Sequence, residues 1–311
     1  MRFDQADTEY RNAATIADGA VLAARGVSLI NTRAGRIDGG VIFTRGGAAF
    51  VNELGGRVRA AAGDGLDTVL VKGSAGLDTV TNAGTIEGKV DLGRGNDTFV
   101  SRDGTTYGVD LGEGDDLYRI EGKQTIYQQV AGGAGIDTIV YDNSSYFGSG
   151  RGATGFEKLV LVAGGNFDGF SGYQSITLAG DAGVFYNLVS CRNAGLDLTL
   201  AGQAVAFHDS SIRNVTGSDA QEIVEADRGA RIGGDVLLKG GDDVFSSFLF
   251  SNEEAGIPAI GGIVDGGDGR DTVEITWVTA RERQFDLGDY QNFERLNLST
   301  SQTIEGMRRR A

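Results

Sequence analysis

The chain holds one cysteine, one proline and one histidine among 311 residues, and each scarcity excludes something. A single cysteine, Cys191, rules out an intrachain disulfide framework and reads as a small core residue. A single histidine, His208, leaves a histidine-rich metal site or a Ser–His–Asp hydrolase resting on "FHDSS" alone, and the plainer reading is an ordinary polar or partly buried side chain. One proline, Pro258, beside 40% hydrophobic residues argues against wholesale disorder, because a glycine-rich linker normally carries proline too. Basic residues are in deficit: 28 Lys and Arg face 43 Asp and Glu, a net charge of −15. That excludes a nucleic-acid partner and an anionic membrane surface, and fits a cation-binding or highly soluble protein. No apolar run is long enough for a transmembrane segment, and the start, "MRFDQADTEYRNAATIADGA", has none of signal-peptide length. The expectation is a protein that stays inside, leaves without an N-terminal signal, or belongs to a longer chain.

Glycine is abundant instead. Its 51 copies are more than double the usual share of about 7%. Without proline, so much glycine predicts many tight turns between strands. The glycine turns align on their aspartates: "AGDGLDTVL" carries Asp67, "GSAGLDTV" Asp78, "LGRGNDTFV" Asp97, "LGEGDDLYR" Asp116 and "GGAGIDTIV" Asp137. Further on, "KGGDDVF" carries Asp243 and "GGDGRDTVE" Asp271, and "GSDAQEIV" reads as a worn copy with Glu222 in the acid's place. From Asp78 the steps are 19, 19 and 21 residues. A second series places Asn31, Asn52 and Asn82 before a glycine and a β-branched residue, and reads as a buried structural ladder. "TLAG" recurs at 177 and 199, and "GFEKLVL" and "NFERLNL" each follow a glycine–aspartate turn by about twenty residues.

A period near 20 residues, built of short alternating apolar runs and glycine turns, predicts the coils of a β-solenoid. One coil cannot bury its own inner face, whereas coils stacked about 4.8 Å apart pair their strands and share a core. The expected fold is all-β, a right-handed parallel β-helix of on the order of 14 coils, a rod of roughly 65 Å. Val69, Val80, Phe99, Ile139, Leu159, Leu161, Val273, Leu296 and Leu298 are expected to point inward. Residues 1–25 form an N-terminal cap or first coil, with weak helical patterning over Ala6 to Ala24; 26–305 form a single β-helix domain; 306–311, with "RRR", form a frayed tail.

"GGDGRDTVE" and "GGAGIDTIV" match every fixed position of G-G-x-G-x-D-x-U-x, where U is a large apolar residue, and three other turns lack only the first glycine. The chain therefore resembles the RTX (repeats-in-toxin, hemolysin-type) proteins, whose nonapeptide binds calcium. Its "NAGTI", "GFEKL" and "NFERL" elements also resemble bacterial autotransporter passenger domains, which are parallel β-helices. The resemblance implies Ca2+ as cofactor, held at Asp67, Asp78, Asp97, Asp116, Asp137, Asp243 and Asp271, with Gly95, Gly114, Gly135 and Gly269 shaping the turns. The chemistry suits the residues. Glycine supplies the positive φ that lets a turn aim carbonyls inward, aspartate adds a short, hard oxygen ligand, and calcium takes 6 to 8 oxygens. Carboxylates stacked about 5 Å apart repel by roughly 0.8 kcal/mol in water and roughly 3 kcal/mol at an effective dielectric of 20, so a ladder needs a cation, a hydrogen bond or an outward splay. RTX repeats run in tandem, with a motif at both turns of each coil, but here there is about one per coil. That favours the consecutive Asp78, Asp97, Asp116 and Asp137. Asp271 has the poorer neighbour, 28 residues from Asp243. The alternative is that each Asp only caps its turn by accepting backbone N–H bonds.

By resemblance, the expected function is non-enzymatic: a secreted or cell-surface calcium-binding repeat region that presents an adhesive surface to a glycan or protein, as a monomer or as part of a longer chain. A polysaccharide-active lyase or epimerase on the same scaffold is the alternative, and a plain structural spacer a third.

Overall fold

Runs of three or four alternating residues make strands too short to stand alone, so they persist only where a neighbouring coil supplies hydrogen bonds and a second layer of core. The computed structural model describes residues 1–122, 125–126, 128–142, 153–168, 172–192, 194–227, 229–250, 258–278 and 288–300. Among these every element is a β-strand and every strand pairing is parallel, giving a β-solenoid of about 12 turns with coils of about 21 residues. No helix among the described residues is long and apolar enough to cross a membrane. The chain divides into two compact units, Met1–Ser145 with Arg151–Val160, and Tyr146–Gly150 with Leu161–Ala311.

In the first unit one sheet runs through Glu9–Asn12, Ser28–Asn31, Ala49–Asn52, Thr79–Asn82, Thr98–Ser101, Leu117–Ile120 and Thr138–Tyr141. Like stands over like in register: Leu29, Phe50, Val80, Phe99, Tyr118 and Ile139 form one inward column. The rings of Phe99 and Tyr118 stack with centroids 5.3 Å apart, so this column is a continuous core. Beside it the Asn ladder forms as the repeated Asn–Gly motif suggests. The Nδ2 of Asn12, Asn31 and Asn52 each donates to the Oδ1 of the next asparagine, at 2.8, 2.9 and 2.9 Å, and Asn82 ends the series on Thr106 Oγ1.

The coil between Asn52 and Asn82 is the long one, and its surplus leaves as an exposed loop over residues 61–67. The strand that follows, Val69–Lys72, carries a bulge: Val69 pairs with Lys89 but Val71 with Val90. The bulge turns Leu70 and Val71 inward and leaves Val69 41% exposed, which corrects its expected inward position. The helical tendency over Ala6 to Ala24 also gives way. Those residues form Glu9–Asn12, Thr15–Ile16 and Ala20–Leu22, the strands of a first coil, because their register partners are strands of the next coil.

The second unit has a sheet through Gly165–Asp168, Phe185–Val189, Ala204–His208, Ile223–Asp227, Val244–Phe250, Thr272–Val278 and Arg295–Thr300. Its inward column is Phe167, Leu188, Phe207, Ala226, Ser247, Ile275 and Leu298. Leu296 and Leu298 lie in register over buried Val273 and Ile275, yet are 41% and 37% exposed, on the last of this sheet's described strands. "TLAG" repeats in register, Thr177 pairing with Thr199. Cys191 is buried, as expected of a core residue. The tail at 306–311 lies outside the described residues.

Candidate metal centre

Each glycine–aspartate turn reverses the chain at the start of a strand. In four of them the backbone is the same: φ is positive four and two residues before the acid, at Gly93 and Gly95, Gly112 and Gly114, Gly133 and Gly135, and Gly267 and Gly269. Asp243 has the same pattern with Lys239 (φ +74°) and Gly241. Space reinforces the need for glycine. A Cβ at Gly114 would lie 1.8 Å from the Gly95 carbonyl oxygen of the coil below.

The stacked turns place the acids in two ladders. In the first unit the Asp78 N–H donates to Asp97 Oδ1 at 2.7 Å, the Asp97 N–H to Asp116 Oδ1 at 2.6 Å, and the Asp116 N–H to Asp137 Oδ1 at 2.8 Å. Glu157 forms the last rung, its Oε2 accepting the Asp137 N–H at 2.8 Å. In the second unit the Glu222, Asp243 and Asp271 N–H groups donate to Asp243 Oδ1, Asp271 Oδ1 and Glu294 Oε2 at 2.7, 2.8 and 2.7 Å. Asp271 thus stands in full register over Asp243, contrary to the expectation from their 28-residue separation. The longer separation does not shift the turn out of register.

One oxygen of each carboxylate therefore serves the neighbouring backbone, and the second decides the chemistry. The acids are buried, from 0% exposure for Asp137 and Asp271 to 2% for Asp116, yet Oδ2 of Asp97, Asp116, Asp137, Asp243 and Asp271, and Oδ1 of Asp78, have no hydrogen-bond partner. The opening rungs differ. Ser74 N–H donates to Asp78 Oδ2 at 2.7 Å and Ser218 N–H to Glu222 Oε2 at 3.1 Å. Glu222 also receives the Gly202 N–H on Oε1, so neither of its oxygens is left without a donor. An inner rung has no such N–H from its own turn.

Burial without a partner penalises the charged form. It is the main cause pushing Asp97 up to about 7, with Asp78 and Asp116 adding repulsion, and Asp243 up to about 7, with Glu222, Asp271 and Asp242 adding theirs. Asp116 rises to about 6 for the same first reason, and Asp78, Asp137 and Asp271 are also raised. Among the described residues no three acidic, histidine or cysteine side chains converge as a metal cluster. A cation in a ladder gap would take one orphaned carboxylate oxygen from each of two rungs and complete its shell with other oxygens. The unpartnered buried oxygens fit such an ion.

Asp67 does not join a ladder. It lies in the exposed loop of the long coil, 2.8 Å from Lys89 Nζ and 3.1 Å from Gln128 Nε2. The glutamate rungs Glu157 and Glu294 were not identified as site residues from the sequence. The available signal was the recurrence of Phe-Glu-Lys-Leu and Phe-Glu-Arg-Leu one coil after Asp137 and Asp271. His208 is half-buried, its Nδ1 bonded to Asp227 Oδ1. No protein-family model, curated protein or solved structure matches the chain.

Proposed function

We propose that this protein is a calcium-binding structural β-solenoid, a repeat region of a secreted or surface-displayed protein, in which Ca2+ bound in the carboxylate ladders locks neighbouring coils together and holds out a long surface for adhesion. The observation that carries this reading is the contrast between rungs. At Glu222 both oxygens have donors, whereas at Asp97, Asp116, Asp137, Asp243 and Asp271, and at Asp78 despite the Ser74 N–H, a buried oxygen has none. Spacing favours calcium over magnesium. An ion midway between equivalent oxygens of coils about 4.8 Å apart lies about 2.4 Å from each, within calcium's 2.3–2.6 Å and beyond magnesium's 2.0–2.1 Å. Asp and Gly residues hold the ion, and its binding energy becomes folding energy. Calcium is plentiful outside cells, which is why secretion and display fit the chemistry. The test is thermal melting followed by far-UV circular dichroism in calcium and in chelator. A calcium-dependent rise in melting temperature is expected. Identical curves would leave the acids as turn caps only.

A polysaccharide-active enzyme is the second reading, and one observation favours it. Glu225 and Asp227 alternate with inward residues on one strand, so both face outward, and Asp227 is bonded to His208 on the adjacent strand. Burial, followed by the charge of Asp227, raises Glu225, as a general acid requires. Product formation from uronate polymers, abolished in Glu225→Gln, would establish that reading. No product from any such polymer would remove it.

A further inference from the structure

The two full matches to the nonapeptide, at Asp137 and Asp271, occupy the same place in their ladders: each is the rung just before a glutamate. Their extra first glycine, Gly132 and Gly266, has a local cause. A Cβ at Gly132 would lie 2.0 Å from the Gly155 carbonyl oxygen of the glutamate coil and 2.9 Å from Asp137 Oδ2. At Gly266 it would lie 2.5 Å from the Asn292 carbonyl oxygen and 2.8 Å from Asp271 Oδ2. Asp97 and Asp116 have buried leucines, Leu92 and Leu111, at the equivalent position. Gly73 and Gly217 hold this position at the opening rungs, against the Leu92 and Leu238 carbonyls, but the Glu222 Oε2 beside Gly217 already accepts the Ser218 N–H; below each glutamate coil the carboxylate oxygen beside the glycine is orphaned. The glutamate adds a second carboxylate to the same gap, anchored by one oxygen on the Asp N–H. Two independent copies share this arrangement, with positive φ at Gly155 (+68°) and Asn292 (+55°) two residues before each glutamate.

We infer that Glu157 and Glu294 are calcium ligands that close the two ion columns: the last ion of each ladder lies between Asp137 and Glu157, or between Asp271 and Glu294, and takes the Gly155 or Asn292 carbonyl. The inference rests on the calcium reading above and extends it to residues outside the nonapeptide. Each column is bounded by chemistry. Ser74 and Ser218 mark the opening rung, each giving one carboxylate oxygen an N–H from its own turn, and a glutamate, whose longer side chain reaches back to the preceding rung, closes the column. Glutamine keeps the Oε1 acceptor for the Asp N–H but removes the charge.

Metal analysis after equilibrium dialysis against calcium, on the full chain, tests this. Glu157→Gln and Glu294→Gln are each expected to bind one ion fewer than the parent, and the double variant two fewer. Far-UV circular dichroism and the melting temperature in chelator should stay within about 2 °C of the parent, because the hydrogen-bonded rung survives. Undiminished stoichiometry with unchanged affinity in the double variant would overturn the inference and leave the glutamates as structural caps. A parent chain that binds no calcium would instead remove the calcium reading itself. Should a glutamine variant fail to fold, Glu157→Asp and Glu294→Asp, too short to span the rung, serve in its place, with ion loss again expected and full retention again contrary.

Discussion

Replacing Asp116 with asparagine should change stability in opposite directions with and without calcium. Asp116 is the middle of three inner rungs, and its Oδ1 accepts the Asp97 N–H. Asparagine keeps that acceptor and turns an amide donor toward the gap holding the orphaned oxygens of Asp97 and Asp137. In chelator the substitution removes a buried charge. A carboxyl raised to about 6 from 3.8 corresponds to roughly 3 kcal/mol of penalty at neutral pH, or about 2 kcal/mol after a discount for solvent screening. Asp116→Asn should therefore raise the melting temperature of its unit by about 4–8 °C in chelator. In saturating calcium the same variant loses a ligand from the gaps on both sides. An ion at a hundred times its dissociation constant contributes about 2.7 kcal/mol, so losing two costs about 5 kcal/mol against the 2 kcal/mol gained. The melting temperature should then fall below the parent's. Scanning calorimetry of both proteins in calcium and in chelator gives all four values. A shift of the same sign in both conditions would refute the reasoning: two falls would mean the carboxylate is needed structurally, and two rises that no ion uses it.

Other consequences follow from the same ladders and the core beneath them. In chelator the melting temperature should fall between pH 4 and 7.5, because folded-state values of about 7 at Asp97 and Asp243 exceed the unfolded value near 3.8, so the stability from their protonated forms is full below that value and lost as pH rises through 7; a rise over this window in a pH series of thermal melts would contradict it. Gly114→Ala, at φ +144° and 1.8 Å from a carbonyl oxygen, should cost at least about 2 kcal/mol in urea unfolding with or without calcium; a neutral result would mean that the turn can move. Phe99→Ala opens the stacked column at a 1%-exposed position and should cost about 3–5 kcal/mol, read as a lower urea midpoint at unchanged slope. Asn52→Ala removes the middle of the asparagine ladder and leaves Asn31 Nδ2 and Asn82 Oδ1 short of a partner, with an expected loss of about 2–4 kcal/mol by the same assay.

Legibility in the sequence followed register. The run Asp78, Asp97, Asp116, Asp137 was readable because a constant step near 20 residues is itself the stacking geometry; the asparagine ladder was readable from its repeated Asn before Gly and a β-branched residue, which carried it across the 30-residue step from Asn52 to Asn82. Asp67 misled because its motif is a local pattern, whereas ladder membership depends on the whole coil. The motif sits in the surplus of a long coil, where it found Lys89 instead of another acid. Asp271 misled in the other direction. Counting residues treats a longer coil as a phase shift, but the two turns stand on the same rung despite their 28-residue separation. Val69 was misplaced by a bulge, which flips the inside and outside of a strand without changing its composition. The glutamate rungs were hidden by residue type, since alignment on aspartate does not register a longer acid reaching the same N–H.

The choice between turn caps and an ion column turns on what neutralises the second oxygen. A hydrogen-bonded cap accounts for Oδ1 in every inner rung and for both oxygens of Glu222, but it leaves Oδ2 of five aspartates buried with nothing opposite. An unpaired buried charge of that kind is costly, and a ladder multiplies the cost because each rung also feels the next. Two remedies exist, a proton or a cation. At neutral pH a carboxyl raised to about 7 is only half protonated, so protons alone leave much of the penalty standing at Asp97 and Asp243, and more at Asp116, raised only to about 6. A divalent ion shared by two rungs removes both charges of a gap at once and pulls adjacent coils together, which a proton does not. A stack whose strands are only a few residues long gains from a bond between coils, and the acids stand one above another where such a bond can form.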